Sequence, residues 1–382
     1  MRQTGLYRRL RHVDGAQDAT LILDGREVIN FSSNNYLGIA NHPALATAAK
    51  DAIERYGCGS GASRLISGNM TLHEELETKL AEFKGAEAAL VFNSGFQANI
   101  GILSTLVGEG DVIFSDALNH ASIIDGCRLS RAKTQVYAHG ALDQLETQLK
   151  KAPAGARKLI VTETIFSMDG DEAPVVGIVE LAEKYQALVM VDEAHATGIF
   201  GGNGAGVVAK LGLGEGVLVQ MGTLGKALGG FGAYAAGSQA LRELLINRCR
   251  SFIFTTSLPP AVMAMAMAAI DLVQREPQRR EMLWSNCRRV KDGLTHLGFT
   301  VSPSESPILP LIIGDATKCM GLSERLLQRG VFAQGIRPPT VPPGTSRLRI
   351  TLMATHTQEQ IERALNAFKE IKELAWQPTT TN

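Results

Sequence analysis

The sequence predicts an α/β fold: a mostly parallel sheet covered by helices, followed by a smaller α+β domain. Three observations carry that prediction. Short apolar runs rich in β-branched residues alternate with helix-like segments from about Pro43 to about Pro260, as expected of strands buried on both faces and joined by crossover helices. The runs end on residues able to do chemistry: Asn93 and Ser94 after Ala88–Phe92, Asp192 after Leu188–Val191, and Thr223 and Lys226 after Val217–Val219. Ligands of such sheets gather beyond the carboxyl ends of the strands. From about Glu276 the order changes to helix, strand, helix, strand, helix.

Taken in order, residues 1–42 form an N-terminal segment with a basic YRRLR start and a hairpin signal. Thr20–Leu23 and Val28–Phe31 flank the turn Asp24-Gly25, and the loop Asn34–Gly38 follows. Residues 43–275 make the large domain. Its expected strands are Ala88–Phe92, Val112–Ser115, Leu159–Thr162, Leu188–Val191, Val217–Val219 and Ala233–Ala236. The Met-rich run Ala261–Ile270 reads as a buried helix behind Pro259-Pro260. Residues 276–382 make the small domain, with strands Ile308–Ile313 and Arg347–Leu352, a helix Ala316–Arg329, a last helix after Thr357 and a polar tail, Pro378–Asn382.

Composition narrows the function. The 382 residues carry 38 basic and 38 acidic side chains, so nothing suggests nucleic acid or a membrane surface. Five scattered cysteines with no CxxC pair argue for reduced thiols in a cytoplasm and against a zinc site. No signal peptide or long apolar span is evident. A dinucleotide site is disfavoured, because no GxGxxG follows a strand with an acid about twenty residues on.

The stretch Val217–Gly230, VLVQMGTLGKALGG, is central. A lone Gly-Lys pair is ordinarily a turn lysine beside a strand. Here Lys226 follows a hydroxyl residue, Thr223, at a strand end, where an amine can be held in a pocket. In LVMVDEAHATG, Asp192 ends a second strand and His195 follows three residues later. In NSGFQAN, Asn93–Asn99, free backbone N–H groups at a helix start would form an anion site. A phosphate cradle, a strand-end acid, a histidine and a held lysine together suggest pyridoxal phosphate, with Lys226 as its Schiff base and Asp192 pairing with the pyridinium nitrogen.

The segments SGASRLISG (Ser60–Gly68), SDALNHASIIDG (Ser115–Gly126), IFSMDGD (Ile165–Asp171), VDEAHATGIFG, GTLGKALGG and FTTSLPP (Phe254–Pro260) resemble the α-oxoamine synthases. These are fold-type I pyridoxal-phosphate enzymes that condense an amino acid with an acyl thioester and lose carbon dioxide. The resemblance runs from about Arg8 to the last helix. Because the chain starts close to the family's basic YRRLR-like segment, a helix that precedes it in relatives is expected to be mostly missing.

The resemblance implies roles residue by residue. Lys226 would bind the cofactor and take the α-proton, Asp192 would keep the pyridine nitrogen protonated, and His195 would bond the ring's phenolic oxygen. His120 would stack on the ring face and act in catalysis and substrate binding. Ser94, Gly95 and Phe96 would supply phosphate-binding backbone, Thr223 a hydroxyl, and Ser167 a contact at the cofactor edge. Arg349 would clamp the amino acid's carboxylate, its paired N–H groups matching two oxygens, with Asn34 assisting. Arg8, Arg337 and Thr340 would line the acyl side. Thr255–Ser257 would reach the cofactor phosphate of a partner subunit, which implies a homodimer.

Within the family, SGASRLISG, TTSLPP, SPILPLIIGD and IRPPTVPPGTSRLRIT favour L-alanine and a pimeloyl thioester, on coenzyme A or an acyl carrier protein, as substrates in biotin formation. Glycine with acetyl-CoA or succinyl-CoA would use the same catalytic residues. A fold-type I aminotransferase would share the lysine and aspartate. A non-catalytic partner subunit would lack the Schiff-base lysine, which Lys226 supplies.

Overall fold

The computed structural model describes residues 6–302 and 305–375; the polar tail Pro378–Asn382 lies outside the described residues. Residues 42–167 and 172–277 form one compact unit, and residues 1–41, 168–171 and 278–382 form another.

In the first unit a seven-stranded sheet runs in the order Ala88–Phe92, Ala233–Gly237, Val219–Thr223, Leu188–Asp192, Lys158–Glu163, Val112–Asp116, Lys133–Tyr137. Neighbours are parallel except for Ala233–Gly237, which is antiparallel to both of its partners. Six strands therefore point one way. Successive side chains of a strand take opposite faces, and the core divides accordingly. Ile113, Leu159, Val161, Met190 and Met221 pack into one apolar layer with Ala98, Ile102, Ile123 and Leu241 from helices. Val112, Phe114, Ile160, Val189 and Val191 pack into the other with Leu145, Leu149, Ile178 and Ala182. Residues buried on both faces explain why these strands read as unbroken apolar runs.

Two differences from the sequence reading have physical causes. The strand expected at Val217–Val219 lies at Val219–Thr223. It continues through Gly222, where a Cβ would stand 2.4 Å from the Tyr234 hydroxyl and 2.7 Å from that of Thr197. A glycine that looks like a breaker is thus a site of close approach. The edge strand Lys133–Tyr137 was not expected. Only Tyr137 in it is buried, so it carries no apolar run.

A buried ion pair ties the end of the Leu188–Asp192 strand to the helix Thr71–Lys84. Lys84 Nζ donates to Glu193 Oε2 and to the Ala205 carbonyl, and Glu193 Oε1 accepts from Val208 N at 3.0 Å. Both side chains are fully buried. Burial disfavours the Lys84 charge, but Glu193 and Tyr234 outweigh that cost and raise its pKa.

In the second unit the hairpin Thr20–Leu23 and Arg26–Asn30 turns on Asp24 and Gly25, both at positive φ (51° and 78°), as a two-residue turn matched to strand twist requires. Val331–Phe332 adds to it in parallel. Ile308–Gly314, Ser346–Thr351 and Gln334–Ile336 form an antiparallel sheet with Ser346–Thr351 in the middle. The helices Ala316–Gln328 and Gln358–Ala375 accompany them. Arg347 reaches the short piece at residues 168–171, where its NH1 bonds Asp169 and, at 3.4 Å, the Met168 carbonyl.

Candidate active site

In the seven-stranded unit the polar residues collect where the like-directed strands end. Asp116, Glu163, Asp192 and Thr223 are the last residues of four of them. Phe92 leads through Asn93 into the helix Gly95–Leu106. Ser94 caps that helix, its Oγ accepting from Gln97 N at 3.2 Å. The N–H groups of Gly95 and Phe96 open the helix and have no intrahelical acceptor. Gly95 packs closely on Thr223, since a Cβ there would stand 2.9 Å from the Thr223 methyl. The Thr223 hydroxyl is buried and has no hydrogen-bond partner among the described residues. The start of this helix thus lies against Thr223, the residue of the orphaned hydroxyl, three positions before Lys226.

Asp192 is 5 % exposed. Its Oδ1 accepts from Ala194 N and its Oδ2 from Asn99 Nδ2, each at 2.9 Å. His195 lies in the turn that follows and is equally buried. Lys226 is half-buried. It lies close enough to His120 and Glu163 for its charge to lower the pKa of both. Ser167 is buried, and its backbone N–H donates to Glu163 Oε2 at 3.1 Å.

His120 caps the helix Ala121–Ser130. Its Nδ1 faces Ser122 Oγ at 2.8 Å and accepts from Ser122 N at 3.2 Å. The residue as a whole is exposed. Desolvation lowers its pKa, Asp192 opposes that shift and Lys226 adds to it.

Three buried residues at this site were not singled out from sequence: Glu163, Asn99 and Ser122. Glu163 is 2 % exposed and its Oε1 has no partner among the described residues. Burial first, and the Asp192 charge second, push its pKa up to about 8, against the pull of Lys226 and of the Ser167 and His120 backbone N–H groups. A signal was present, since Glu163 ends KLIVTE as Asp192 ends LVMVD. Asn99, likewise, is a buried amide in a mostly apolar helix.

In the other unit, Arg349 is 7 % exposed on the central strand of the three-stranded sheet. Both of its terminal nitrogens lie 3.2 Å from Asn34 Oδ1, and NH2 also meets the Tyr36 hydroxyl at 3.4 Å. Burial raises the Tyr36 pKa, the Arg349 charge and hydrogen bond opposing it. Arg8 NH2 donates to Thr340 Oγ1 at 3.3 Å and to the Pro338 carbonyl at 3.2 Å. Arg337 is 6 % exposed, and its NH2 donates to the Tyr7 carbonyl. Its pKa is lowered, first by burial and then by the like charge of Arg8. Arg8, Arg337 and Thr340 therefore line one groove, and Asn34 and Arg349 touch directly. Among the described residues no group of His, Cys, Asp or Glu is placed to hold a metal ion.

Residues 26–368 match the family described as aminotransferase class I and II. The 8-amino-7-oxononanoate synthase of Geobacter sulfurreducens is 54 % identical over 98 % of this chain and 96 % of its own. A lysine-to-alanine variant of serine palmitoyltransferase from S. paucimobilis, solved with a bound pyridoxal phosphate–myriocin aldimine, superposes with a TM-score of 0.93 at 34 % identity, over 96 % of this chain and 92 % of that one. The crystal structure of 8-amino-7-oxononanoate synthase from Francisella tularensis gives a TM-score of 0.80 at 29 % identity, over 92 % and 99 %. The chain belongs to the class I and II aminotransferase family, in its α-oxoamine synthase branch, with the fold-type I architecture of that branch.

Proposed function

We propose that the chain uses pyridoxal phosphate to condense L-alanine with a pimeloyl thioester, carried on coenzyme A or an acyl carrier protein. The products are 8-amino-7-oxononanoate, carbon dioxide and the free thiol, a step of biotin biosynthesis. One observation carries this choice among related reactions: the 54 % identity to a synthase of that name, over 98 % of the chain. The site supports the cofactor independently. The orphaned Thr223 hydroxyl and the Gly95 and Phe96 N–H groups suit a phosphate, and Gly95 leaves the room that a Cβ would fill.

When bound, the cofactor supplies an aldehyde that amines condense with and a cationic ring that takes up the electron pair left at the amino acid's α-carbon. Lys226 would hold it through Nζ and, once displaced by the amino acid, receive the α-proton on Nζ. Asp192, kept in place by Asn99 and Ala194 N, would hold the proton of the ring nitrogen. His195 would donate to the ring oxygen, and Ser167 would border the ring. Ser94 would fix the helix start that meets the phosphate. His120 would cover the ring face and donate a hydrogen bond to the substrate oxygen that gains charge.

Arg349 and Asn34 would take the carboxylate of alanine. Arg8, Arg337 and Thr340 would take the anionic end of the acyl substrate. Arg337 is nearly buried beside another cation, and its Nε has no partner among the described residues. Such a group gains most from an anion.

A homodimer is part of this reading. Leu65, Ile66, Phe96 and Phe254 are 51, 79, 46 and 71 % exposed. Their segments are neighbours, through the Ser63–Thr256 bridge and the bond from Asn93 Nδ2 to the Thr256 carbonyl at 2.8 Å. An apolar patch of this kind calls for a cover, and a second copy that brings Thr255–Ser257 would supply it. No helix among the described residues is long and apolar enough to cross a membrane. The five cysteines are free, which fits a reducing cytoplasm.

The test is thiol release and product mass with purified, cofactor-loaded protein. Alanine with pimeloyl-CoA is expected to give both. Thiol release only from glycine with a short acyl-CoA, or amino-group transfer to a keto acid without thiol release, would overturn the proposal.

A further inference from the structure

A buried polar path joins Asp192 to His120, and its direction is dictated at one end. Asn99 and Ser122 are each 1 % exposed. Asn99 Nδ2 lies 2.9 Å from Asp192 Oδ2 and 2.9 Å from Ser122 Oγ. A carboxylate only accepts, so the amide edge that meets Asp192 must be the NH2 group. Both of its hydrogens are then spent, one on Asp192 and one on Ser122. Ser122 Oγ accepts from Asn99, and its own hydrogen goes to His120 Nδ1 at 2.8 Å. The Ser122 backbone N–H, a donor without alternative, meets the same Nδ1 at 3.2 Å. Two donors converge on His120 Nδ1, so the lone pair is there and the hydrogen of the neutral ring is on Nε2.

We infer that Asn99 and Ser122 are positioning residues that hold His120 neutral, with Nδ1 accepting and Nε2–H turned into a donor for the reacting oxygen. The inference rests on the reading that His120 faces the substrate. The charged and titratable groups around the histidine are Asp192, Lys226 and Glu163. An imidazolium would carry a hydrogen on Nδ1 against the Ser122 hydroxyl and N–H; separately, desolvation and the Lys226 charge, opposed by Asp192, lower the His120 pKa. The geometry of the two helices serves the path. A Cβ on Gly126 would stand 2.9 Å from the Asn99 carbonyl and 3.2 Å from Ile100 Cα, so this glycine lets the Ala121–Ser130 helix come close enough for Ser122 to reach Asn99.

The test is proton–nitrogen correlation NMR of histidine-labelled protein, with and without cofactor, the His120 signal being assigned by its loss in His120→Asn. The wild type is expected to show a protonated Nε2 and an unprotonated Nδ1 at neutral pH. Ser122→Ala is expected to raise the His120 titration midpoint, the backbone N–H alone still facing Nδ1, and to lower kcat at least tenfold with KM for alanine unchanged. Ser122→Thr should restore both readouts, and Asn99→Ala should act like Ser122→Ala. A wild-type His120 protonated on Nδ1, or a Ser122→Ala variant with wild-type NMR and wild-type kcat, would overturn the inference. Wild-type protein inactive on alanine and pimeloyl-CoA would sink the functional reading alone, because the tautomer is read without turnover.

Discussion

Glu163 and Asp192 are cross-strand partners, the last residues of adjacent parallel strands, buried side by side at 2 and 5 % exposure. Burial first, and the neighbouring Asp192 charge second, raise the Glu163 pKa from 4.5 to about 8.

The pH dependence follows. Between pH 4.5 and about 8 the folded chain binds a proton at Glu163 that the unfolded chain does not. The stabilisation from this group is therefore complete below the unfolded pKa and is lost as pH rises through the folded one. Glu163→Gln, neutral at every pH, should flatten that decline. The difference from wild type, in urea unfolding of the cofactor-free protein at pH 6 and 9, should be on the order of a few kcal/mol. Equal pH slopes for the two proteins would contradict it.

Lys226→Ala should leave the fold intact and remove the visible absorbance of the lysine-bound cofactor. Turnover should fall by roughly 10³-fold or more, since on the proposed roles the variant loses both the attachment point and the base. Absorbance spectra and a thiol-release assay read the two effects separately. Normal turnover would contradict the site.

Arg349→Lys should raise KM for alanine by about 10- to 100-fold, because a lysine cannot make the paired contacts of a guanidinium fork. Tyr36→Phe, which removes one contact to Arg349 at 3.4 Å, should have a smaller effect of the same kind. KM for the thioester should move little in both. Steady-state kinetics with each substrate varied in turn decides the matter.

Gly126→Ala should destabilise the cofactor-free protein by about 1–3 kcal/mol, the range for a methyl forced into a packed contact. The atoms it meets include backbone, at 2.9 and 3.2 Å, so the helices themselves must separate. Thermal melts read the loss. A His120 signal shifted in the direction of Ser122→Ala would show that the separation stretches the path to Asp192.

Much of the sheet was legible because its strands are buried on both faces, and Ala88–Phe92 matches its predicted bounds residue for residue. Legibility failed where burial was one-sided or a residue's purpose was tertiary. Lys133–Tyr137 is an edge strand with a mostly exposed, polar surface. Gln220 is 2 % exposed and Gly222 is pressed against Tyr234, yet both read locally as the end of a strand. Lys226, Asp192 and Ser94 stand in recognisable strand-end and helix-cap contexts. Asn99 and Ser122 do not, because a single amide or hydroxyl in a helix becomes meaningful only when another helix supplies its partner.

The Lys84–Glu193 pair has a consequence for strand pairing. Asp192 and Glu193 are adjacent in the chain; one is bonded to Asn99 and the other to Lys84. A slip of one residue that carries Glu193 to the place of Asp192 would turn Glu193 to the other side. Ala194 would then stand opposite Lys84 and leave a fully buried ammonium without its counter-ion, a cost of several kcal/mol. Lys84 thus acts as a register pin. It fixes which of two neighbouring carboxylates turns toward Asn99, from the far side of the chain.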